Sequence, residues 1–209
     1  MIQPSKFGKG PENLWNDFIR GDDKAFASIY FHHIGRLLSY GRNFTQDDEM
    51  LHDSVQEIFV DLFEKRGKPH AQIHNLKGYL LIALRNSIIR KKQKQRKSSV
   101  HGMSSSEVEE FNVSYSFEEY VVSEEVSMEA LVKLREAIAG LSPALKEIVY
   151  LRFEEGLPYP EIAAIMEITV ETARKQLFRA ISALRNVLDN QSFNGIILFL
   201  LKKVEKNCP

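Results

Sequence analysis

Two small all-α domains joined by an acidic tether are what the 209-residue sequence predicts, and three observations carry that expectation. Apolar residues recur at spacings of three and four through most of the chain, the period of a helix, and strand-like patterns are nearly absent. Breaks between the periodic runs fall at "RGDD" (Arg20–Asp23), at "RGKPH" (Arg66–His70), at Gly140 before "LSP", and at Gly156. Charge is segregated although the formal net charge is +0: residues 85–97 carry Lys and Arg without a carboxylate, and residues 98–132 carry Glu without Lys or Arg. Such asymmetry predicts a basic contact surface and an acidic connector rather than a neutral exterior.

In the first half the spacing predicts helices over Glu12–Arg20, Lys24–Tyr40, Asp47–Arg66 and Asn75–Lys97. In the third of these, Leu51, Val55, Ile58, Phe59, Leu62 and Phe63 form the apolar stripe. Its opposite side holds Asp53, Glu57, Asp61 and Glu64. The fourth begins amphipathic and ends strongly basic. Leu76, Leu80, Ala83, Leu84 and Ile88 are expected inside, with Lys77, Tyr79, Arg85, Asn86, Arg90, Lys91 and Lys94 on one outward surface. Aromatic, amide and basic groups together suit single-stranded nucleic acid, where each stacked base contributes about 1–3 kcal/mol. The plainer reading is a solvated basic helix end, which the helix dipole also favours.

Between the halves, residues 98–124 are rich in Ser and Glu and are expected to be a mobile linker. Its aromatics Phe111, Tyr115, Phe117 and Tyr120 suggest that part of it docks. The second half predicts helices over Ser123–Ala139, Pro143–Glu154, Pro160–Met166 and Val170–Leu188. The last two, separated by a turn of a few residues, have the layout of a helix-turn-helix, whose second helix lies in the major groove. Thr169 stands where an N-cap hydroxyl would accept from the next turn's amides. Val170, Ala173, Leu177, Ala180, Ile181 and Leu184 form the expected buried stripe. Glu171, Thr172, Arg174, Lys175, Gln176 and Arg179 face the other way, and these side-chain types suit base edges and phosphates. Two blemishes stand out: Pro158 where a Ser or Thr cap is usual, and Glu167 where Gly often ends a helix, at a cost of about 1 kcal/mol. The expected domains are thus 12–97 and 125–190, with the linker 98–124 between them and an apolar tail, 191–209, after them.

The single cysteine, Cys208, leaves neither a disulfide framework nor a Cys-based metal site. The first residues lack the apolar run of a signal peptide, and "FNGIILFLL" at Phe193–Leu201 is far short of the ~20 residues a spanning helix needs. A cytoplasmic protein is expected. An enzyme is not: His70 and His74, His32 and His33, and His52 form no H-E-x-x-H motif, and there is no P-loop. No cofactor, metal or small-molecule substrate is expected.

Taken in order, four stretches resemble bacterial sigma factors of the extracytoplasmic-function type, over residues 12–190. "RGDDKAFASIYFHHIGRLLSYGRNF" resembles the first helical pair of region 2. "HDSVQEIFVDLFEKR" is similar to a D-x-x-Q-E-x-F-x-x-L-W stretch, with Phe63 for the Trp. "NLKGYLLIALRNSIIRKKQKQRK" is similar to a Trp-Leu and Arg-Asn pattern before a basic run, with Tyr79 for the Trp. "LSPALKEIVYLRFEEGLPYPEIAAIMEITVETARKQLFRAISALRNVL" resembles the region 4 helix-turn-helix. The resemblance implies a protein that binds core RNA polymerase and directs it to promoters. It implies that Asp53, Gln56, Glu57 and Asp61 meet the β′ clamp helices, and that Tyr79, Arg85, Asn86, Arg90 and Lys91 act on the −10 element. The 67–74 loop would capture a flipped base, whose extrusion costs a few kcal/mol. Thr172, Arg174, Lys175, Gln176 and Arg179 would read the −35 element. The acidic linker would lie in the RNA exit path and mimic RNA's charge. An anti-sigma factor is a further implied partner, and the tail either caps the second domain or is covered by that partner. The rival is a stand-alone helix-turn-helix regulator binding operator DNA, which leaves the acidic helix without a task.

Overall fold

The structure, a computed structural model, describes residues 11–66, 75–98, 111–113, 128–188 and 193–194. The expected base-capturing loop, Tyr115, Phe117, Tyr120, His70, His74, Cys208 and most of the tail lie outside the described residues. Two compact units, residues 1–98 and 99–209, divide the chain. Among the described residues no helix is long and apolar enough to cross a membrane.

The first unit is built from α1 (Pro11–Ile19), α2 (Asp23–Gly41), α3 (Asp48–Glu64) and α4 (Leu76–Ser98). Short polar side chains start its helices. Asp22 accepts from the amides of Lys24 at 2.8 Å and Ala25 at 3.4 Å, and Asp47 accepts from the Met50 amide at 2.9 Å. Each satisfies donors that a helix start leaves orphaned. Gly21, at φ 114, makes the reversal between α1 and α2 that a side chain would resist. The core gathers Phe18, Ile29, Leu37, Tyr40, Leu51 and Leu84, all 2% exposed or less. Gly41 is where α2, α3 and α4 come closest. A Cβ there would run into Leu51 Cδ1 and lie 3.3 Å from Ile88 Cδ1 and 3.4 Å from Leu84 Cδ2.

The second unit holds α5 (Met128–Ala139), α6 (Pro143–Val149), α7 (Tyr159–Ile165) and α8 (Val170–Val187). The helix expected over Pro143–Glu154 is α6 followed by a π-helical turn, Tyr150–Glu154. That turn closes with the Glu155 amide donating to the Tyr150 carbonyl at 3.2 Å. Leu134, Ile148, Leu151, Ile162, Ala173 and Leu184 are buried at its centre. Two residues from outside the predicted domain core join this unit. Phe111, from the linker, is 1% exposed, its ring edge-on to Tyr150 at 6.0 Å between centroids. Phe193, from the tail, is buried with the Arg185 guanidinium 5.6 Å from its ring centroid. Of the tail, only Phe193 and Asn194 are among the described residues, and Phe193 packs against its own unit.

Candidate nucleic-acid interface

The turn into α8 is fixed by local chemistry. Glu167 adopts φ 55, the left-handed conformation anticipated at that position, and reverses the chain after α7. The Thr169 hydroxyl then accepts from the Thr172 amide at 3.1 Å, starting α8 as a side-chain cap should. Pro158 sits at the N-cap of α7 and contributes no side-chain bond. With Ala173, Leu177, Ala180 and Leu184 buried, the 100° advance per residue points Glu171, Lys175, Phe178 and Arg179 outward, and all four are exposed. Val170 and Ile181, expected inside, are only half-buried.

Neighbours hold several of these groups in place. Lys175 pairs with Glu171 one turn back at 2.6 Å. The Arg174 guanidinium lies 5.6 Å from the centroid of the Tyr159 ring, which Arg152 also approaches at 5.4 Å. Arg152 in turn donates to the Leu157 carbonyl at 2.9 Å. An aromatic face favours a cation placed over it, so Tyr159 orients Arg174 before any ligand arrives. Two expected readers differ from expectation. Thr172 is half-buried against the cap, its hydroxyl 2.8 Å from that of Thr169. Gln176 leans toward the core flank, its Oε1 buried without a hydrogen-bond partner. Sequence reasoning missed Phe178, 74% exposed on the outer face. The signal was present: Phe178 falls three residues after Lys175 and four after Arg174.

On α4 the outward stripe is narrower than expected. Leu80, Leu84 and Ile88 face inward, and Leu81 joins them fully buried, while Leu76 and Ala83 are half-buried. Tyr79, Asn86 and Arg90 then share one outer line, with Arg90 Nε donating to the Asn86 carbonyl at 3.1 Å. Arg85 does not stand there. It is 8% exposed, because it follows Leu81 and Leu84 onto the buried side. Lys91 is likewise turned aside and bound to Glu57 of α3 at 3.0 Å. Ser87 Oγ donates to the same carboxylate at 3.3 Å. Lys77, half-buried, is one of the charges near His33. Burial, with His32, Arg36 and Lys77 adding repulsion, pushes the His33 pKa down to about 4.

The acidic face of α3 is exposed at Asp53, Gln56, Glu57 and Glu64. Asp61 sits at its edge, hydrogen-bonded to Lys65. That bond raises the Lys65 pKa, and the Tyr79 hydroxyl adds to the effect. Among the acids, Val60 and Phe63 are 48% and 43% exposed. They continue into a groove of about 420 Å³ lined by Phe26, Tyr30, Ile34 and Phe59, with His52, Gln56 and Glu64 at its rim. Phe63 also carries the Arg66 guanidinium at 5.7 Å, and Arg66 reaches Asp23 at 2.5 Å.

Comparison with known proteins bears on both units. The chain matches the family profiles "Sigma-70 region 2" over residues 29–98 and "Sigma-70, region 4" over 131–184, together more than half its length. It is 23% identical over 171 residues to the RNA polymerase sigma-H factor of Pseudomonas aeruginosa, covering 81% of this chain and 89% of that one. It is 23% identical over 180 residues to the ECF RNA polymerase sigma factor SigK of Mycobacterium ulcerans, covering 84% and 92%. Its fold resembles that of CnrH bound to the cytosolic domain of CnrY, with a TM-score of 0.54, 18% identity, and 86% and 97% of the two chains covered. It also resembles the sigma factor RpoE bound to the anti-sigma factor NepR from Bartonella quintana, with a TM-score of 0.53, 20% identity, and 78% and 96% covered.

Proposed function

The chain belongs to the sigma-70 family, matched in both region 2 and region 4, and from that premise we propose how its residues divide the work. As an alternative sigma factor it binds core RNA polymerase and directs promoter recognition. The observation that carries the assignment of surfaces is their separation by charge: the acidic, apolar-centred face of α3 is on one unit, and the cationic face of α8 is on the other.

Asp53, Gln56 and Glu57, with Val60 and Phe63 between and beside them, form the contact to the basic clamp helices of the polymerase β′ subunit. Asp61 acts at the edge of that surface. Tyr79, Asn86 and Arg90 track the −10 strand along the outer line of α4. Arg85 supports that line from beneath, and Lys91 joins it only after leaving Glu57. On α8, Lys175, Arg179 and Arg174 approach the −35 duplex directly, and Phe178 is placed to meet a thymine methyl. Thr172 and Gln176 serve the flank of that contact.

The working division is 12–97 for region 2, 98–124 for the linker, 125–190 for region 4 and 191–209 for the tail. We take the protein to be cytoplasmic and non-enzymatic. Two similar folds were solved with a protein bound, one of them an anti-sigma factor, which supports an anti-sigma partner here as well.

Run-off transcription with purified core polymerase on genomic DNA tests the whole reading. Discrete start sites absent with core alone are expected, and no transcript above core alone overturns it. Tight operator binding by the free protein, without polymerase, would favour a stand-alone regulator instead.

A further inference from the structure

We propose that Lys65 is a positioning residue for the −10 strand: held by Asp61, it fixes the ring of Tyr79 in the orientation that receives a base. The inference rests on the sigma-factor reading above and gives a task in it to a residue outside every expected contact set.

Lys65 ends α3, its amide donating to the Asp61 carbonyl at 3.1 Å. Tyr79 stands in the first turn of α4. There its amide donates to the Asn75 carbonyl at 3.1 Å, and the Asn75 side chain accepts from the Gly78 amide at 3.1 Å. Both backbones are fixed by these helix-end bonds. Between them the Lys65 ammonium donates to the Asp61 carboxylate and to the Tyr79 hydroxyl. Arg66, next along the chain, turns the other way, to Asp23 and the rings of Phe18 and Phe63. The contact lies on one seam between α3 and α4. Eight residues before Lys65, Glu57 accepts from Ser87 Oγ at 3.3 Å, and Ser87 lies eight residues after Tyr79. Equal steps of about 12 Å along two antiparallel helices put both contacts in a single register. Lys65 thus reaches Tyr79 as part of how the two helices pack.

The hydroxyl makes the link. A phenol oxygen accepts from an ammonium and keeps its own O–H to donate, whereas Trp, which the resembled pattern carries at this place, has a donor and no acceptor. A side chain that must be immobilised when a ligand arrives lowers affinity by about 2- to 12-fold. Here the ring is ordered beforehand, because Asp61 holds Lys65 and Lys65 holds the hydroxyl. The charge of Lys65 is already answered by Asp61, so it has little left for a phosphate, and its effect on the strand passes through Tyr79. Asp61, at the edge of the acidic face, works toward α4 by the same chain of bonds.

The test uses assembled holoenzyme, full chain with core polymerase, and a labelled single strand: the non-template sequence upstream of a start site mapped by run-off transcription. Fluorescence anisotropy reads its Kd across a range of salt. Lys65→Met should weaken strand binding about 2- to 12-fold, leaving the logarithmic salt slope and binding of −35 duplex unchanged. Lys65→Arg keeps a donor and should restore most of the affinity. Tyr79→Phe should cost as much as Lys65→Met, and the double variant no more than either, the mark of two residues acting as one. Asp61→Ala should weaken strand binding in the Tyr79-containing holoenzyme and have no further effect in Tyr79→Phe. A full Lys65→Met loss in the Tyr79→Phe background, or a salt slope shallower by about 0.7, makes Lys65 a phosphate contact and overturns the proposal. Tyr79→Phe keeps the ring and decides the matter if Lys65→Met does not fold: unchanged strand affinity there overturns the link. Failure of the unmodified holoenzyme to bind the strand more tightly than core alone instead removes the sigma-factor reading, and this proposal with it.

Discussion

The outer faces of α3 and α8 follow one plan in opposite charge. Each sets exposed apolar side chains among ionised ones: Val60 and Phe63 among Asp53, Glu57 and Glu64, and Phe178 among Arg174, Lys175 and Arg179. They differ in what lies behind the apolar group. Behind Val60 and Phe63 a groove opens between α2 and α3, able to receive the ridge of another helix. Phe178 is simply 74% exposed on a convex helix, the right form for entering a groove rather than offering one. On the proposed reading, charge names the sign of each partner, and the relief beneath it suits protein on α3 and nucleic acid on α8.

The largest effect should come from setting the charge of α3 against its shape. Asp53→Lys keeps the groove and reverses a central charge, and it should weaken core polymerase binding by about 2–3 kcal/mol, roughly 30- to 150-fold. Titration of labelled core against the variant measures this, and an unchanged Kd would mean that the acidic face is merely solvated. Gly41→Ala probes the scaffold beneath that face. Its methyl group has no room against Leu51, and it should lower first-unit stability by about 1–3 kcal/mol in urea unfolding. On the other helix, Arg179→Ala should cost holoenzyme about 1–3 kcal/mol on a −35-dependent promoter and relax preference at one base position. Equal loss on every −35 sequence would make Arg179 a phosphate contact instead. Thr169→Ala removes the cap of α8 and should reduce second-unit stability by about 1 kcal/mol.

The last effect is one of pH: it is the smallest at neutral pH, grows only on acidification, and touches the first unit alone. His33 titrates near 6.5 when unfolded and near 4 in place, so the unfolded chain binds the extra proton between those values. Stability from this group is therefore present above the unfolded pKa and lost as pH falls from about 6.5 toward 4. His33→Gln should flatten the first unit's stability profile in that window and leave the second unit's unchanged. An identical slope in the variant would show that other groups govern the acid limb.

Much of this was legible in sequence because helical period and caps are local properties. Thr169 and the left-handed Glu167 announce their roles through their immediate neighbours. What escaped depended on rotation about a helix axis or on distant partners. Arg85 reads as one more member of a basic run, yet its position in the 3.6 period carries it under the helix with Leu81 and Leu84. Lys91 and Glu57 were assigned to separate partners, and nothing within either segment shows that they meet. Phe178 belongs neither to the expected buried stripe nor to the polar set of its helix, and only its exposure in the fold marks it. The π turn at Tyr150 adds a residue that period-counting cannot register, and Phe111 is core through a partner, Tyr150, that lies far along the chain.

The Glu171–Lys175 pair has a bearing on how the −35 contact responds to ionic strength. A lysine already neutralised by a carboxylate one turn away displaces few condensed counterions when it nears a phosphate. Each phosphate fully neutralised steepens the logarithmic salt dependence by about 0.9. With Lys175 shared in this way, α8 should yield a shallower slope than its count of basic residues suggests. Promoter choice by this helix would then persist through changes in cellular potassium that loosen more simply cationic readers.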